Sequence, residues 1–260
     1  MERERTIFTV DERGVATFTL NRPEKLNAWD LKMKQEVVGT LDEVNKDPKI
    51  KILVITAKGR YFGAGIDLKD EIKVKHEDAI TETGWPPPAG LGDVAAVKLK
   101  KIAIAALNGP AVGNALDLSM ACDFVIMVDT AFLWEPYVRV GPPSGGTWHL
   151  PRLIGLRRAT EMLLLGERVD AKKALEWGLV NKLVPEGQLE AATEELVQKL
   201  LQFSQIVLQY TKASIIGGLS KDMENAMDYI TWTRYVTRNL GIQEESRRAF
   251  AEKRAPKYSK

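Results

Sequence analysis

The sequence predicts an α/β chain wound as a spiral of strand and helix units, followed by a C-terminal region that is almost entirely helical. Two buried strands, Ile50 to Ala57 and Ile102 to Leu107, each lead into a glycine turn and then a helical segment. That order recurs without a sequence repeat beneath it, so the architecture repeats while the residues do not. Beyond Gly155 the apolar residues keep helical spacing nearly to the end, broken by a short strand at Leu179 to Val184 that Pro185 closes. The spiral core is assigned to residues 1–200 and the helical region to 201–260, as one structural unit, because no linker composition separates them.

The elements follow in order. Thr6 to Val10 and Val15 to Leu20 alternate in polarity around Asp11 to Gly14, the pattern of a hairpin, and Pro23 ends the second strand. From Ala28 to Asn45, Met33, Val37, Leu41 and Val44 recur at helical spacing, and Asp47 and Pro48 close that element. After the first buried strand comes GAGIDL, Gly63 to Leu68; after the second, Asn108, Gly109 and Pro110 turn into a helix that starts near Gly113 and Asn114. Phe124 to Val128 is a further strand. Leu189 to Phe203, Ser204 to Ile216 and Ser220 to Leu240 read as amphipathic helices. Between Lys69 and Gly90 a charged run gives way to three prolines, Pro86 to Pro88, which disfavour helix and suit a loop over a substrate.

Composition narrows the function. A content of 45% hydrophobic residues supports a sizeable core. With 37 basic against 35 acidic residues, no strong field argues for nucleic acid. A single cysteine, Cys122, excludes an internal disulfide framework, fits a reducing compartment and reads as a small buried helix residue. The N-terminus lacks an apolar signal core, no run is long enough to span a bilayer, and the final YSK is not a peroxisomal address, so the expected location is cytoplasmic. His76 and His149 lie too far apart to suggest a metal site.

The two glycine turns carry the chemistry. A helix N-terminus leaves backbone N–H groups without internal acceptors, so an anionic oxygen above Gly113 and Asn114 would be stabilised. The N–H groups of Ile66 and Asn114, converging on one carbonyl oxygen, would form an oxyanion hole in which each donor supplies about 3 to 4 kcal/mol in a transition state. Asp117, three residues into the helix, is within reach of the same ligand.

NRPEKLNA (Asn21 to Ala28), the AGIDL of Ala64 to Leu68, NGPAVG and ACD around the central helix, GGTWHLPRLIG (Gly145 to Gly155) and AFAEKRAPKY (Ala249 to Tyr258) follow one another along nearly the whole chain. In this the sequence resembles the crotonase family, the enoyl-CoA hydratases and isomerases. The resemblance implies a β-β-α superhelix with a helical C-terminal region that builds a homotrimer or a dimer of trimers. It implies an acyl-CoA substrate, with coenzyme A as part of that substrate and no separate cofactor. Lys25, Leu26 and the backbone of Ala64 would approach the CoA, and Phe250 and Lys253 its adenine end, although both lysines also suit a plain solvated surface.

Hydratases of the family use two glutamates, and this sequence departs from them at both. Asp117 stands in the first position, one methylene shorter; it is either catalytic or a first-turn carboxylate that satisfies the helix. In FLWEPYVRVG (Phe132 to Gly141), Glu135 precedes Pro136 where the family has proline before glutamate, and the spacing to the next glycine differs by one. Either Glu135 enters the site, or Pro136 or Tyr137 takes the position and Glu135 is a surface or capping residue. Isomerases that carry an acid after the next proline have no counterpart here, since that turn is Pro143, Ser144, Gly145. Trp85 either lines the acyl pocket or anchors a surface. Trp134 and Tyr137 either line it too, which would suit a cyclic or aryl acyl group, or belong to the core. His149 replaces a family arginine and is expected to hydrogen-bond on a helix face rather than catalyse.

Three functions remain open on these residues: hydration or dehydration of an enoyl-CoA with proton transfer by Asp117 and Glu135; hydrolysis of a thioester or of a β-dicarbonyl C–C bond; and a non-catalytic CoA-binding scaffold.

Overall fold

In the computed structural model, residues 3–71, 98–140, 145–254 and 256–258 are described. Trp85, His76 and the proline run lie outside them, as do Pro143 and Ser144. The α/β spiral expected from the sequence is present. Strands β1 (Thr6–Val10) and β2 (Val15–Leu20) form the antiparallel hairpin, with Asp11 at its turn accepting from the N–H groups of Arg13 and Val15. Strands β3 (Ile52–Ala57), β4 (Ile102–Leu107), β6 (Phe124–Val128) and β9 (Lys182–Val184) complete a sheet in the order β1-β2-β3-β4-β6-β9. β2 and β3 run parallel, as do β4 with β6 and β6 with β9. All six residues of β4 are buried, which is why its sequence, IAIAAL, is continuously apolar instead of alternating.

Side chains pin this sheet at its ends. Asp123 accepts from the Ala103 N–H at 2.8 Å while donating its own N–H to the Ala103 carbonyl at 2.9 Å, and Asn181 brackets Val125 in the same way. The helix Leu31–Lys46 starts at Asp30, whose carboxylate accepts from the Met33 N–H, and it buries Met33, Val37, Leu41 and Val44. Its Glu36 is also buried, because its carboxylate accepts from the N–H groups of Glu4 and Arg5 and from the Thr6 hydroxyl.

A second sheet, of strands β5 (Ala111–Val112), β7 (Phe132–Trp134) and β8 (Arg168–Asp170), has no counterpart in the sequence reading. Strands of two or three residues are too short for alternation to register. β5 pairs parallel with β7, and β7 antiparallel with β8. The helix after residue 145 also begins earlier than periodicity marks it, at Gly146, and breaks at Gly155, where φ is 78°.

The chain divides into two compact units. The first takes the described residues of Met1–Leu99 and Ala103–Thr193, the second Lys100–Ile102 and Glu194–Lys260. In the second, the helices Gln205–Gly218 and Met223–Asn239 meet through Tyr210, Tyr229 and Trp232, whose rings lie about 6 Å apart, and the Lys212 ammonium donates to the Lys101 carbonyl at 2.9 Å. The helix Ile242–Ala251 is tied to the chain beyond it by Glu245. Hydrogen bonds from the Arg254 side chain and the Lys257 N–H hold that carboxyl down to about 2. Among the described residues no helix is long and apolar enough to cross a membrane.

Candidate active site

The first glycine turn is held by the loop before the first helix. Leu26 and Asn27 both have φ of 54°, a left-handed conformation that side chains rarely take. Asn27 makes it tenable. Its buried carboxamide accepts from the Arg22 N–H at 2.7 Å and donates to the carbonyls of Lys58 and Tyr61 at 2.9 and 2.8 Å. Arg22 in turn reaches Asp67 at 2.8 Å. The Ala64 N–H donates to the Leu26 carbonyl at 3.0 Å, so two of the residues expected near CoA are neighbours, with the exposed Lys25 beside them.

Trp29 then sets the direction of Ile66. The Trp29 N–H donates to Gly65 at 2.8 Å and its carbonyl accepts from Asp67 at 3.0 Å. A residue that pairs with both neighbours of Ile66 leaves the Ile66 N–H pointing to the opposite side.

The second turn lies on that side. The Gly63 N–H donates to the Pro110 carbonyl at 3.2 Å, and the Val112 N–H donates back to Gly63 at 2.9 Å. The backbones stay in contact for two more residues: a Cβ on Gly65 would lie 3.3 Å from the Val112 carbonyl oxygen, and one on Gly113 would lie 3.6 Å from the Gly65 Cα. Both positions also have positive φ, 86° and 51°, so glycine is required twice over. Ile66 and Asn114, the next residue of each strand of chain, therefore stand side by side. Asn114 opens the helix Asn114–Met120, where its N–H has no intrahelical acceptor. Among the described residues neither N–H donates to another group. The helix is only seven residues long, so the two discrete donors matter more here than an extended helix dipole.

Two buried acidic residues lie on the segments that meet at Gly113. Asp117 is fully buried in the first turn of the helix, its N–H bonded to the Gly113 carbonyl at 2.9 Å. Glu135 arrives by strand pairing. β5 and β7 are in register at Ala111 with Leu133 and Val112 with Trp134, and the Gly113 N–H donates to the Trp134 carbonyl at 3.0 Å. Glu135 is the next residue, hence roughly one strand spacing, about 5 Å, from Gly113. It is fully buried, which fits neither a surface glutamate nor an exposed cap.

The aromatic residues separate. The Trp134 indole donates to the Gly166 carbonyl at 2.7 Å and lies under Arg168 at 5.0 Å, on the β8 side of its strand. The Trp134 backbone carbonyl is what meets the second turn, at the Gly113 N–H. Tyr137 also comes to that turn, in the short helix Tyr137–Val140, but its hydroxyl donates to the Asn114 side-chain oxygen. Trp85 lies outside the described residues. Phe250 and Lys253 belong to the second unit, where both are exposed and Lys253 has φ of 51°. Cys122 sits just past the end of the helix Asn114–Met120 and is half-buried, not the buried helix residue expected of it. Among the described residues no group of His, Cys, Asp and Glu could hold a metal ion. Sequence reasoning missed Asn27 and the link from Tyr137 to Asn114. The tolerance of asparagine for positive φ is the signal that marks the first, and nothing local marks the second.

His149 is buried in the first turn of the helix Gly146–Leu165. Its ring meets Trp148 edge to face at 4.9 Å, and the hydrogen bond expected of it is not found among the described residues. Burial, with a smaller push from Arg152, lowers its pKa to about 4. The unfolded chain, with a histidine near 6.5, therefore takes up a proton first. The resulting stability is fully present above pH 6.5 and is lost as pH falls toward 4. Relative to His149→Gln, the protein is expected to lose about 2 kcal/mol between pH 7.5 and pH 5 in urea unfolding, and an unchanged difference would show that this ring titrates alike in both states.

The sequence profile of the enoyl-CoA hydratase/isomerase family matches residues 11–260. The chain is 31% identical over 258 residues to the 1,2-epoxyphenylacetyl-CoA isomerase of Escherichia coli, covering 95% of this chain and 96% of that one. It is 33% identical over 249 residues to the carnitinyl-CoA dehydratase of Citrobacter koseri, with 93% and 94% covered. The crystal structure of an enoyl-CoA hydratase from Bacillus anthracis superposes with a TM-score of 0.89 at 28% identity, over 98% of this chain and 99% of that one.

Proposed function

This chain belongs to the enoyl-CoA hydratase/isomerase family, with its match spanning residues 11–260, and is an enzyme of acyl-CoA hydration or isomerisation; from there we propose that it adds water to an enoyl-CoA. The carrying observation is that two fully buried carboxyl side chains, Asp117 and Glu135, stand on segments joined at Gly113, next to two outward backbone donors.

The thioester oxygen accepts from the N–H groups of Ile66 and Asn114, which lowers the energy of the enolate as charge moves onto that oxygen. Each donor contributes about 3 kcal/mol. One carboxylate takes a proton from water as its oxygen bonds to the β-carbon, and the other carboxyl delivers a proton to the α-carbon as the carbon–carbon π bond is lost. Both groups accelerate the step by about 10² to 10⁴. On this reading Lys25, Leu26 and Ala64 hold the pantetheine end of CoA, Phe250 and Lys253 serve its adenine, and the enzyme works as a homotrimer or dimer of trimers.

Isomerisation is the second reading, favoured by the likeness to 1,2-epoxyphenylacetyl-CoA isomerase. Mass spectrometry of linear, branched and cyclic enoyl-CoA substrates incubated in D₂O separates the two. Gain of one water with CoA retained is expected. Deuterium uptake without water gain points to isomerisation. Release of free CoA or a cleaved carbon skeleton replaces both readings with hydrolysis, and binding without any change in mass leaves a scaffold.

A further inference from the structure

We propose that Tyr137 is a positioning residue for the oxyanion donor, fixing the peptide that carries the Asn114 N–H and its distance from Glu135. The proposal rests on the acyl-CoA reading above.

The need arises at Gly113. With φ of 51° and ψ of −127° it occupies a conformation that only glycine adopts readily, and the helix holds the Gly113–Asn114 peptide at its carbonyl, which accepts from the Asp117 N–H at 2.9 Å. The plane of that peptide sets where the Asn114 N–H points. A further restraint comes from the end of β7 and the residues just after it, which grip both Gly113 and Asn114. The Trp134 carbonyl accepts from the Gly113 N–H at 3.0 Å, and the Tyr137 hydroxyl donates to the Asn114 side-chain oxygen.

Tyr137 is buried, and its phenol end covers the turn: a Cβ on Gly113 would lie 3.2 Å from the hydroxyl oxygen and 3.4 Å from the carbon bearing it. Glu135 sits between the two gripping residues. The donor and the carboxyl are therefore held to each other by one short stretch, residues 134–137, and loosening its far end moves one relative to the other. A hydrogen bond that acts on alignment affects the transition state, where charge gathers on the thioester oxygen, more than the bound substrate.

The test compares wild type with Tyr137→Phe, which removes only the hydroxyl, and with Asn114→Ala, which removes its acceptor while leaving the backbone N–H. Tyr137→Phe is expected to lower kcat about 10- to 100-fold with KM changed less than about threefold, a smaller loss than deletion of a whole donor. An enoyl-CoA carrying ¹³C at the thioester carbonyl reports the hole directly in the infrared: its band shifts down on binding wild type, and the shift shrinks in Tyr137→Phe. In the Asn114→Ala background the tyrosine change adds nothing.

A full kcat and an unaltered band in Tyr137→Phe overturn the role of Tyr137 alone. So does an equal loss from Tyr137→Phe in the presence and absence of the Asn114 side chain. No band shift in wild type overturns the oxyanion reading, and the role of Tyr137 falls with it. If Tyr137→Phe does not fold, Asn114→Ala carries the test, with the same expected fall in kcat and in the shift; wild-type values in that variant overturn the proposal.

Discussion

Asp117→Asn and Glu135→Gln each lower kcat for enoyl-CoA hydration by about 10² to 10⁴-fold, with KM changed only a few fold, because each removes one proton transfer and leaves the thioester contacts in place. Both side chains are fully buried, so the amides replace carboxyl groups of nearly the same shape and the packing is retained. The double variant falls little below the worse single one, since a reaction that has lost either proton transfer gains little from the other. The pair also divides the labour. In D₂O, the variant lacking the group that serves the α-carbon loses exchange there as well as hydration, while the other keeps exchange. Asp117→Glu lengthens the side chain by about 1 Å and costs on the order of a hundredfold if the aspartate is placed for its task. A Glu135→Gln enzyme with full turnover would remove Glu135 from the reaction and return the hydrolytic and isomerase readings to the front.

Gly63→Ala produces the second large effect, on stability and rate together. Gly63 is the stitch between the two turns, donating to Pro110 and accepting from Val112. A methyl there would lie 2.5 Å from the Ala115 Cβ, far inside van der Waals contact, and neither methyl can rotate away because both are fixed to backbone. Ala115 follows Asn114 directly, so the displacement falls on the residue that supplies the second donor. The expected cost is about 2 to 3 kcal/mol in urea unfolding. As the donors part, kcat falls on the order of a hundredfold. Ala115→Gly in the same chain clears the space. The double variant should regain the stability, less about 1 kcal/mol for glycine in a helix, and with it most of kcat. Loss that Ala115→Gly does not relieve would mean that this contact is not what brings the turns together.

Much of the site was legible because its determinants are local. Gly113 with Asn114 marks the turn and the helix start, helical spacing puts Asp117 in the first turn, and AGIDL repeats the arrangement at Ile66. The boundaries follow suit: the first helix runs Leu31–Lys46, and the later ones Leu189–Leu201, Gln205–Gly218 and Met223–Asn239, within three residues of where periodicity puts them. Glu135 was not legible in this way. The order of glutamate and proline leaves its placement open, and the answer depends on β5 and β7, strands of two and three residues whose pairing spans 22 positions from Ala111 to Leu133.

What the sequence by itself determined is the α/β spiral, the helical C-terminal region, the two glycine turns and a carboxylate one helical turn beyond the second. All of these rest on backbone preferences and periodicities that act within a few residues. The tertiary structure alone decided that Glu135 is buried beside Gly113, that the Trp134 ring turns to Arg168 and Gly166, and that the Tyr137 hydroxyl reaches Asn114. Those outcomes depend on the register between short strands distant in the chain, and a register is set by the pairing itself and by the burial it permits, neither of which a local pattern encodes.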